Sequence, residues 1–245
     1  MSYQVSGTSG EGVVERLGTF ASGGATHRTL AEKAFGMLHD AIVSGALLPG
    51  ERLPIEDLAA ATGMSPMPIR EALRRLDGVG LVENVPHRGA RVADLSVEDL
   101  NEVYDSRLML EVPAIGRAAE NFSDEDAANA AEWLDRLASA IKRESDAESL
   151  EAHTGFHFAL YRAASSRWLV RLISPLWDSA ERYRVATAGT RLLFQSRVDE
   201  HENLLEACRE HQPAIAEARL WNHLVRTANL IATEMGGEAL YELKD

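Results

Sequence analysis

The sequence predicts a mainly α chain in two parts, an N-terminal winged helix-turn-helix and a C-terminal all-α helical bundle. Three observations carry that expectation. Between residues 27 and 93, two short helical patterns flank a glycine turn and a β-branched hairpin follows them. From Ser96 onward, apolar residues recur at helical spacing with no strand pattern between them. Charge divides at the same place: His27 to Ala93 carries 8 basic and 8 acidic residues, and Asp94 to Asp245 carries 16 basic and 28 acidic. The net charge of -13 over 245 residues therefore sits almost wholly in the second part, and the first is free to approach a polyanion.

The elements follow in order along the chain. Residues 1–26 are rich in Gly, Ser and Thr (Ser6-Gly7-Thr8-Ser9-Gly10, Ser22-Gly23-Gly24), bury too little apolar surface to offset their ordering entropy, and read as a flexible leader. Thr29 is an N-cap for a helix in which Leu30, Ala34, Met37, Leu38, Ala41 and Ile42 fall three and four apart, and Gly45 with Pro49-Gly50 ends it. A short helix over about 55–61 follows Pro54 and stops at Gly63. Ser65-Pro66 then caps and opens another that runs to about Gly78. Leu81-Val82-Glu83-Asn84-Val85 and Ala90-Arg91-Val92-Ala93 lie on either side of Pro86-His87-Arg88-Gly89, a hairpin with a basic tip. The first domain is thus expected over 27–93.

Helical segments are expected near 97–120, 124–144, 147–164, 167–188, 192–209 and 213–235, giving an all-helical domain over 96–235 and a tail over 236–245. Ser123 precedes Asp124-Glu125-Asp126, negative charge where a helix start attracts it, and Gln212-Pro213 marks another start. Pro113 and Pro175 fall inside helical patterns and are expected to kink or break them.

Composition excludes several classes. An apolar fraction of 45% with 26% charged residues is ordinary for a globular chain and rules out collagen-like or wholly disordered readings. The lone Cys208 excludes an intrachain disulfide and a thiolate metal cage. No apolar run approaches the roughly 18 residues that span a bilayer, so no membrane partner is expected and the compartment reads as cytoplasmic.

A helix that reads DNA presents arginine and polar groups to base edges and phosphates while its other face packs on the preceding helix. The segment from Met64 to Leu76 meets that need: Ile69, Leu73 and Leu76 form one apolar stripe, and Ser65, Met67, Arg70, Arg74 and Arg75 lie on other faces. Arg52 and the hairpin residues His87, Arg88 and Gly89 are candidates to meet the phosphate backbone. The bland alternative is a solvated helix face with Arg70, Arg74 and Arg75 paired to Glu71 and Asp77.

These residues carry a resemblance. Gly45-Ala46-Leu47-Leu48-Pro49-Gly50-Glu51-Arg52-Leu53-Pro54, Leu58-Ala59, Gly63-Met64-Ser65, Pro68-Ile69-Arg70-Glu71-Ala72-Leu73-Arg74-Arg75-Leu76, Gly80-Leu81-Val82 and Gly89-Ala90-Arg91-Val92 resemble the winged helix of GntR-family bacterial transcription regulators. The helical second part resembles the FCD effector domain of the FadR-like branch. The resemblance implies a double-stranded DNA operator as partner, with Arg52, Arg70 and Arg74 as matching contacts, and a regulator, most simply a repressor, acting as a homodimer. Pro66 stands where many relatives carry an arginine that touches DNA.

His153 and His157, four apart, share one face of a helix, and His201 and His223 lie on later predicted helices. Such a pair is by itself more often a surface or hydrogen-bonded core feature than a metal site. All four converging would offer neutral nitrogen ligands suited to a divalent ion, zinc first and nickel second. Metal-binding FCD domains use an aspartate and three histidines; His157, His201 and His223 match the histidines, and His153 stands in the place of the aspartate.

Arg107 lies among apolar neighbours on the first helix of this domain, and its simplest partner is Glu111 one turn on. The resemblance implies instead that Arg107 faces an effector cavity beside the metal and grips a small carboxylate effector, an organic or sugar acid, through paired hydrogen bonds. Ser166 is a weaker candidate there, and Tyr104, Trp168, Trp177 and Trp221 read as core aromatics. Two rivals stand beside this reading: a purely structural metal, and a helical metalloenzyme with Glu151 or Glu202 as general base. No other catalytic motif appears, and an enzyme leaves the winged helix unexplained, so none is expected.

Overall fold

A computed structural model describes residues 16–17, 29–85, 89–187 and 198–244. The chain divides into two compact units, Met1–Ser96 with Glu181–Ala186, and Val97–Ala180 with Thr187–Asp245.

The first unit is the winged helix-turn-helix. Helix α1 (Leu30–Val43) starts at Thr29, whose hydroxyl accepts from the Glu32 amide while the Glu32 carboxylate accepts from the Thr29 amide, a reciprocal cap. Helix α2 (Ile55–Thr62) ends at Gly63, whose φ of 66° lies in the left-handed region that favours glycine. Helix α3 (Pro66–Asp77) follows Ser65 with proline in its first turn and buries Ile69, Ala72, Leu73 and Leu76. Three strands, β1 (Arg52–Leu53), β2 (Val82–Val85) and β3 (Gly89–Val92), form an antiparallel sheet in the order β1-β3-β2, with Val82 opposite Val92 and Arg52 opposite Arg91. The hairpin is where the sequence placed it, and β1 is an addition: two residues are too few to show alternation.

Leu17 departs from the flexible leader expected over 1–26. It is fully buried with Leu38, Leu47, Leu53 and Leu73, and neighbouring Arg16 pairs with Glu51. Burying one leucine, about 1.5–3 kcal/mol, is comparable with the roughly 1–2 kcal/mol per residue that ordering Arg16 and Leu17 costs. Within the same unit the Tyr183 hydroxyl donates to the Ser96 carbonyl at 3.1 Å, and Arg182 donates to the Ala93 carbonyl.

The second unit is helical: α4 (Val97–Glu120), α5 (Asp124–Lys142), α6 (Asp146–Ala163), α7 (Arg167–Thr187, whose residues Glu181–Ala186 belong to the first unit), α8 (Val198–Arg209) and α9 (Pro213–Glu234). Neither proline breaks its helix, so of the two outcomes expected, kink or break, the break does not occur: α4 runs through Pro113 and α7 through Pro175. The carbonyls that each proline deprives of a donor belong to Met109 and Arg171, both exposed residues, so water can satisfy them.

Gly155 lets α6 lie against α5. A methyl group at this position would stand 2.4 Å from Cδ2 and Cε3 of Trp133, whose indole carries Arg136 at 4.7 Å on it. Alanine is favoured over glycine in a helix by about 1 kcal/mol, whereas driving a ring off its seat costs roughly 2–3 kcal/mol. The clash wins, and Gly155→Ala is expected to lose about 1–2 kcal/mol, read as a fall of several degrees in Tm by circular dichroism. An unchanged or higher Tm would show the indole swinging aside freely.

Past α9 the chain turns back and is held by side-chain amides. Asn229 Oδ1 accepts from the Leu240 and Tyr241 amides at 2.8 and 3.0 Å while its Nδ2 donates to the Tyr241 carbonyl. Asn222 likewise accepts from the Lys244 amide and donates to its carbonyl, both at 2.9 Å. The Lys244 ammonium lies 3.5 Å from the centre of the Trp221 ring.

Candidate functional site

The outward face of α3 carries Ser65, Met67, Arg70, Arg74 and Arg75, all exposed, with Met67 at 71%. Three arginines are held differently. Arg74 makes two hydrogen bonds to Glu71, at 3.1 and 2.7 Å. That exposed pair keeps the Glu71 carboxyl below its usual value and the Arg74 guanidinium above its own, the hydrogen bond being the main cause in both. The Arg75 guanidinium lies 4.4 Å from the centre of the Phe35 ring, braced against α1. Arg70 is exposed and makes no ion pair among the described residues, so of the three it is the least committed within the chain.

Arg52 is exposed on β1 opposite Arg91, whose guanidinium is bound to Glu83 at 2.7 Å and Asp94 at 3.0 Å. Arg52, Gly89 and Arg91 share one hollow with Gly50, Val85 and Ala90. His87 and Arg88 lie outside the described residues.

In the second unit, α6 supplies His153 and His157, α8 supplies His201 and α9 supplies His223, all four buried. One ligand-capable nitrogen from each lies within 4.8 Å of all the others. His157 and His201 are both central: the ring centre of His157 is 4.7 Å from that of His153 and 5.2 Å from those of His201 and His223, and that of His201 is 5.2 Å from His153 and 4.8 Å from His223, while His153 and His223 are 6.4 Å apart. Four buried imidazoles so disposed match the nitrogen donor set that zinc and nickel accept, and their chemistry fits a divalent cation. Trp177 walls the cluster, 5.4 and 5.0 Å from the rings of His153 and His157, and its indole N–H donates to Thr154 at 3.2 Å.

Arg107 is fully enclosed between the rings of Tyr104 and Trp177, at 4.9 and 5.0 Å. Its Nε donates to one oxygen of Glu111 at 2.7 Å and its Nη2 to the other at 3.2 Å, and Glu111 is as buried as its partner. Burial alone would make the guanidinium easier to deprotonate, but the Glu111 charge and the hydrogen bond override it and the Arg107 pKa rises. Arg107 thus takes Glu111, its simplest expected partner, and adjoins the histidine cluster through Trp177.

Two residues that sequence reasoning did not single out complete the surroundings. The Tyr161 hydroxyl donates to Glu111 Oε2 at 2.5 Å and stands 3.4 Å from His157 Nδ1. Glu200 Oε2 accepts from His223 Nδ1 at 2.8 Å, and Glu200 Oε1 accepts from Arg226 at 2.7 Å. Tyr161 falls one turn after His157 and was legible as a neighbour; Glu200 reaches a histidine on another helix, which no spacing reveals.

Other candidates fall elsewhere. Glu151 and Glu202, the bases a metalloenzyme would need, are exposed. Ser166 accepts from the Leu169 amide at 3.4 Å, at the start of α7. Tyr104 and Trp177 are buried as expected, whereas Trp168 is 71% exposed under Arg171 rather than in the core, and Trp221 is half-buried under Lys244. Burial pushes the Cys208 thiol up to about 12, so it is no thiolate ligand near neutral pH. Among the described residues no helix is long and apolar enough to cross a membrane.

Residues 30–92 match the family described as bacterial regulatory proteins, gntR family, and residues 102–226 match the FCD domain. The chain is 34% identical over 177 residues to the uncharacterized HTH-type transcriptional regulator BphR of Paraburkholderia xenovorans (strain LB400), covering 67% of this chain and 69% of that protein. It is 27% identical over 208 residues to the HTH-type transcriptional repressor GlaR of Escherichia coli (strain K12), covering 82% and 94%. The solved structure of E. coli McbR/YncC shares the fold, with a TM-score of 0.75 at 24% identity over 85% of this chain and 100% of that one.

Proposed function

Since the chain belongs to the GntR family of bacterial transcription regulators and carries an FCD domain, we propose that it is a cytoplasmic, homodimeric repressor that senses a small organic or sugar acid through a metal-containing pocket. The observation that supports the sensing half is the convergence of four buried imidazoles beside the buried Arg107. A divalent ion held by His153, His157, His201 and His223 would offer a Lewis-acidic seat for one effector oxygen. Glu111 takes the Nε and Nη2 hydrogens of Arg107, which fixes the plane of the guanidinium and leaves its Nη1 edge to face the acid. Tyr104 and Trp177, stacked on that guanidinium, keep water from competing.

For DNA, α3 lies in the major groove in this reading, with Arg70 at base edges and Arg52 with the hairpin tip on phosphates. Two half-sites read by two protomers multiply the few base pairs that one short helix meets. Arg70→Ala is expected to weaken operator binding by about 1–3 kcal/mol, roughly 5- to 150-fold, with the fold intact. Mobility shifts on the DNA flanking its own gene test this, and titrating hydroxy acids, dicarboxylates and sugar acids into the complex tests sensing. Arg70→Ala binding as tightly as wild type removes the helix from the groove. Release of DNA by neutral sugars or amines alone removes the acid.

A further inference from the structure

A divalent cation surrounded by four imidazoles keeps its full charge, because every ligand is neutral. In a buried site that charge is costly unless a carboxylate lies nearby. Two carboxylates reach the cluster through the contacts described above. Glu111 approaches by way of Tyr161, but its charge is matched at 2.7 Å by Arg107, equally buried, so that pair brings the centre little net charge. Glu200 is different. Its cationic partner Arg226 is 46% exposed at the side chain, where water screens it, while Glu200 itself is 22% exposed and bonded to the ring of buried His223.

We propose that Glu200 is a positioning residue for the metal, acting through His223 in two ways and resting on the metal reading given above. It accepts the Nδ1 hydrogen of His223, which fixes the tautomer with Nε2 as the lone-pair nitrogen and sets the ring's rotation. It also supplies, one residue removed from the ion, the negative charge that the histidines lack. Arg226 holds the second carboxylate oxygen and so keeps the first on His223. Tyr161 is the weaker counterpart at His157, at 3.4 Å from Nδ1.

The test separates charge from shape. Wild type and Glu200→Gln, stripped of metal with a chelator, are titrated with Zn2+ against a chromophoric chelator, and the Tm of each metal-free protein is measured. Glutamine keeps an acceptor for His223 while removing the charge and the oxygen that Arg226 holds, so Zn2+ affinity is expected to fall about 10- to 100-fold, with the metal-free Tm unchanged. Tyr161→Phe should fall less. Co2+ bound in place of Zn2+ should show a shifted visible spectrum in Glu200→Gln, because the field at His223 changes. Equal Zn2+ affinity in Glu200→Gln and wild type overturns the proposal, and so does a metal-free Tm that drops in step with affinity, since Glu200 would then be structural. A wild type that binds no Zn2+ removes the metal reading itself.

Discussion

His157→Ala is expected to empty the histidine cluster of metal, taking the protein from about one divalent ion per chain to none that survives gel filtration. His157 is the residue to remove because of its place among the four. Like His201, it has its ring close to each of the others, whereas His153 and His223 stand 6.4 Å apart, so removing either central ring leaves the widest-spaced pair in the remaining set, and His201→Ala is expected to act in the same way. His153→Ala, by contrast, would leave His157, His201 and His223 within 5.2 Å of one another as a three-nitrogen set that can still bind, more weakly. Elemental analysis of untagged protein purified without chelator checks both. Full occupancy in His157→Ala, or none in wild type, sinks the assignment.

Glu111→Ala is expected to cost about 3–5 kcal/mol, a large share of what holds a domain together, because it strands the guanidinium of Arg107 where no water reaches it. An exposed pair at this spacing on a helix is worth only tenths of a kcal/mol, and burial is what changes the scale: Arg107 is 1% exposed and Glu111 0%. Part of the loss also falls on Tyr161, whose hydroxyl gives its hydrogen to Glu111. The double replacement Arg107→Met with Glu111→Leu should recover most of the stability, since an apolar pair of similar volume incurs no desolvation. Urea denaturation followed by Trp fluorescence decides the matter. A midpoint for Glu111→Ala within about 1 kcal/mol of wild type would mean that water enters beside Arg107 and that the enclosure described above is not tight.

Much of this was legible because it is local. Thr29 with Glu32, Gly63 and Ser65-Pro66 each fix a helix end within a few residues, and the apolar stripe Ile69, Leu73, Leu76 needs only the helical period. The histidines were visible as candidates for the same reason on one helix, and their convergence across three is tertiary. What escaped is non-local or too short. Strand β1 is two residues whose partners lie 39 and 37 positions away in sequence, and Leu17 earns its burial from a core built by residues after it. Spacing showed that Arg107 and Glu111 face each other; nothing in spacing says that Tyr104 and Trp177 close over them. Whether Pro113 and Pro175 would break their helices was not legible, because the cost of a proline depends on whether the orphaned carbonyl meets solvent.

The two asparagines that hold the tail work as a gauge of two different pitches. Seven residues of helix from Asn222 to Asn229 rise about 10.5 Å, and three residues of extended chain from Tyr241 to Lys244 cover about 10 Å. The two rulers agree only because the tail runs antiparallel to α9, Tyr241 on Asn229 and Lys244 on Asn222. Both clamps grip main chain rather than side chain, so the letters between them are nearly free to drift while their number is not. One residue added or dropped between 241 and 244 throws the second clamp out of step by a third of the span. Length at this end of the fold is therefore the constrained quantity, and composition the free one.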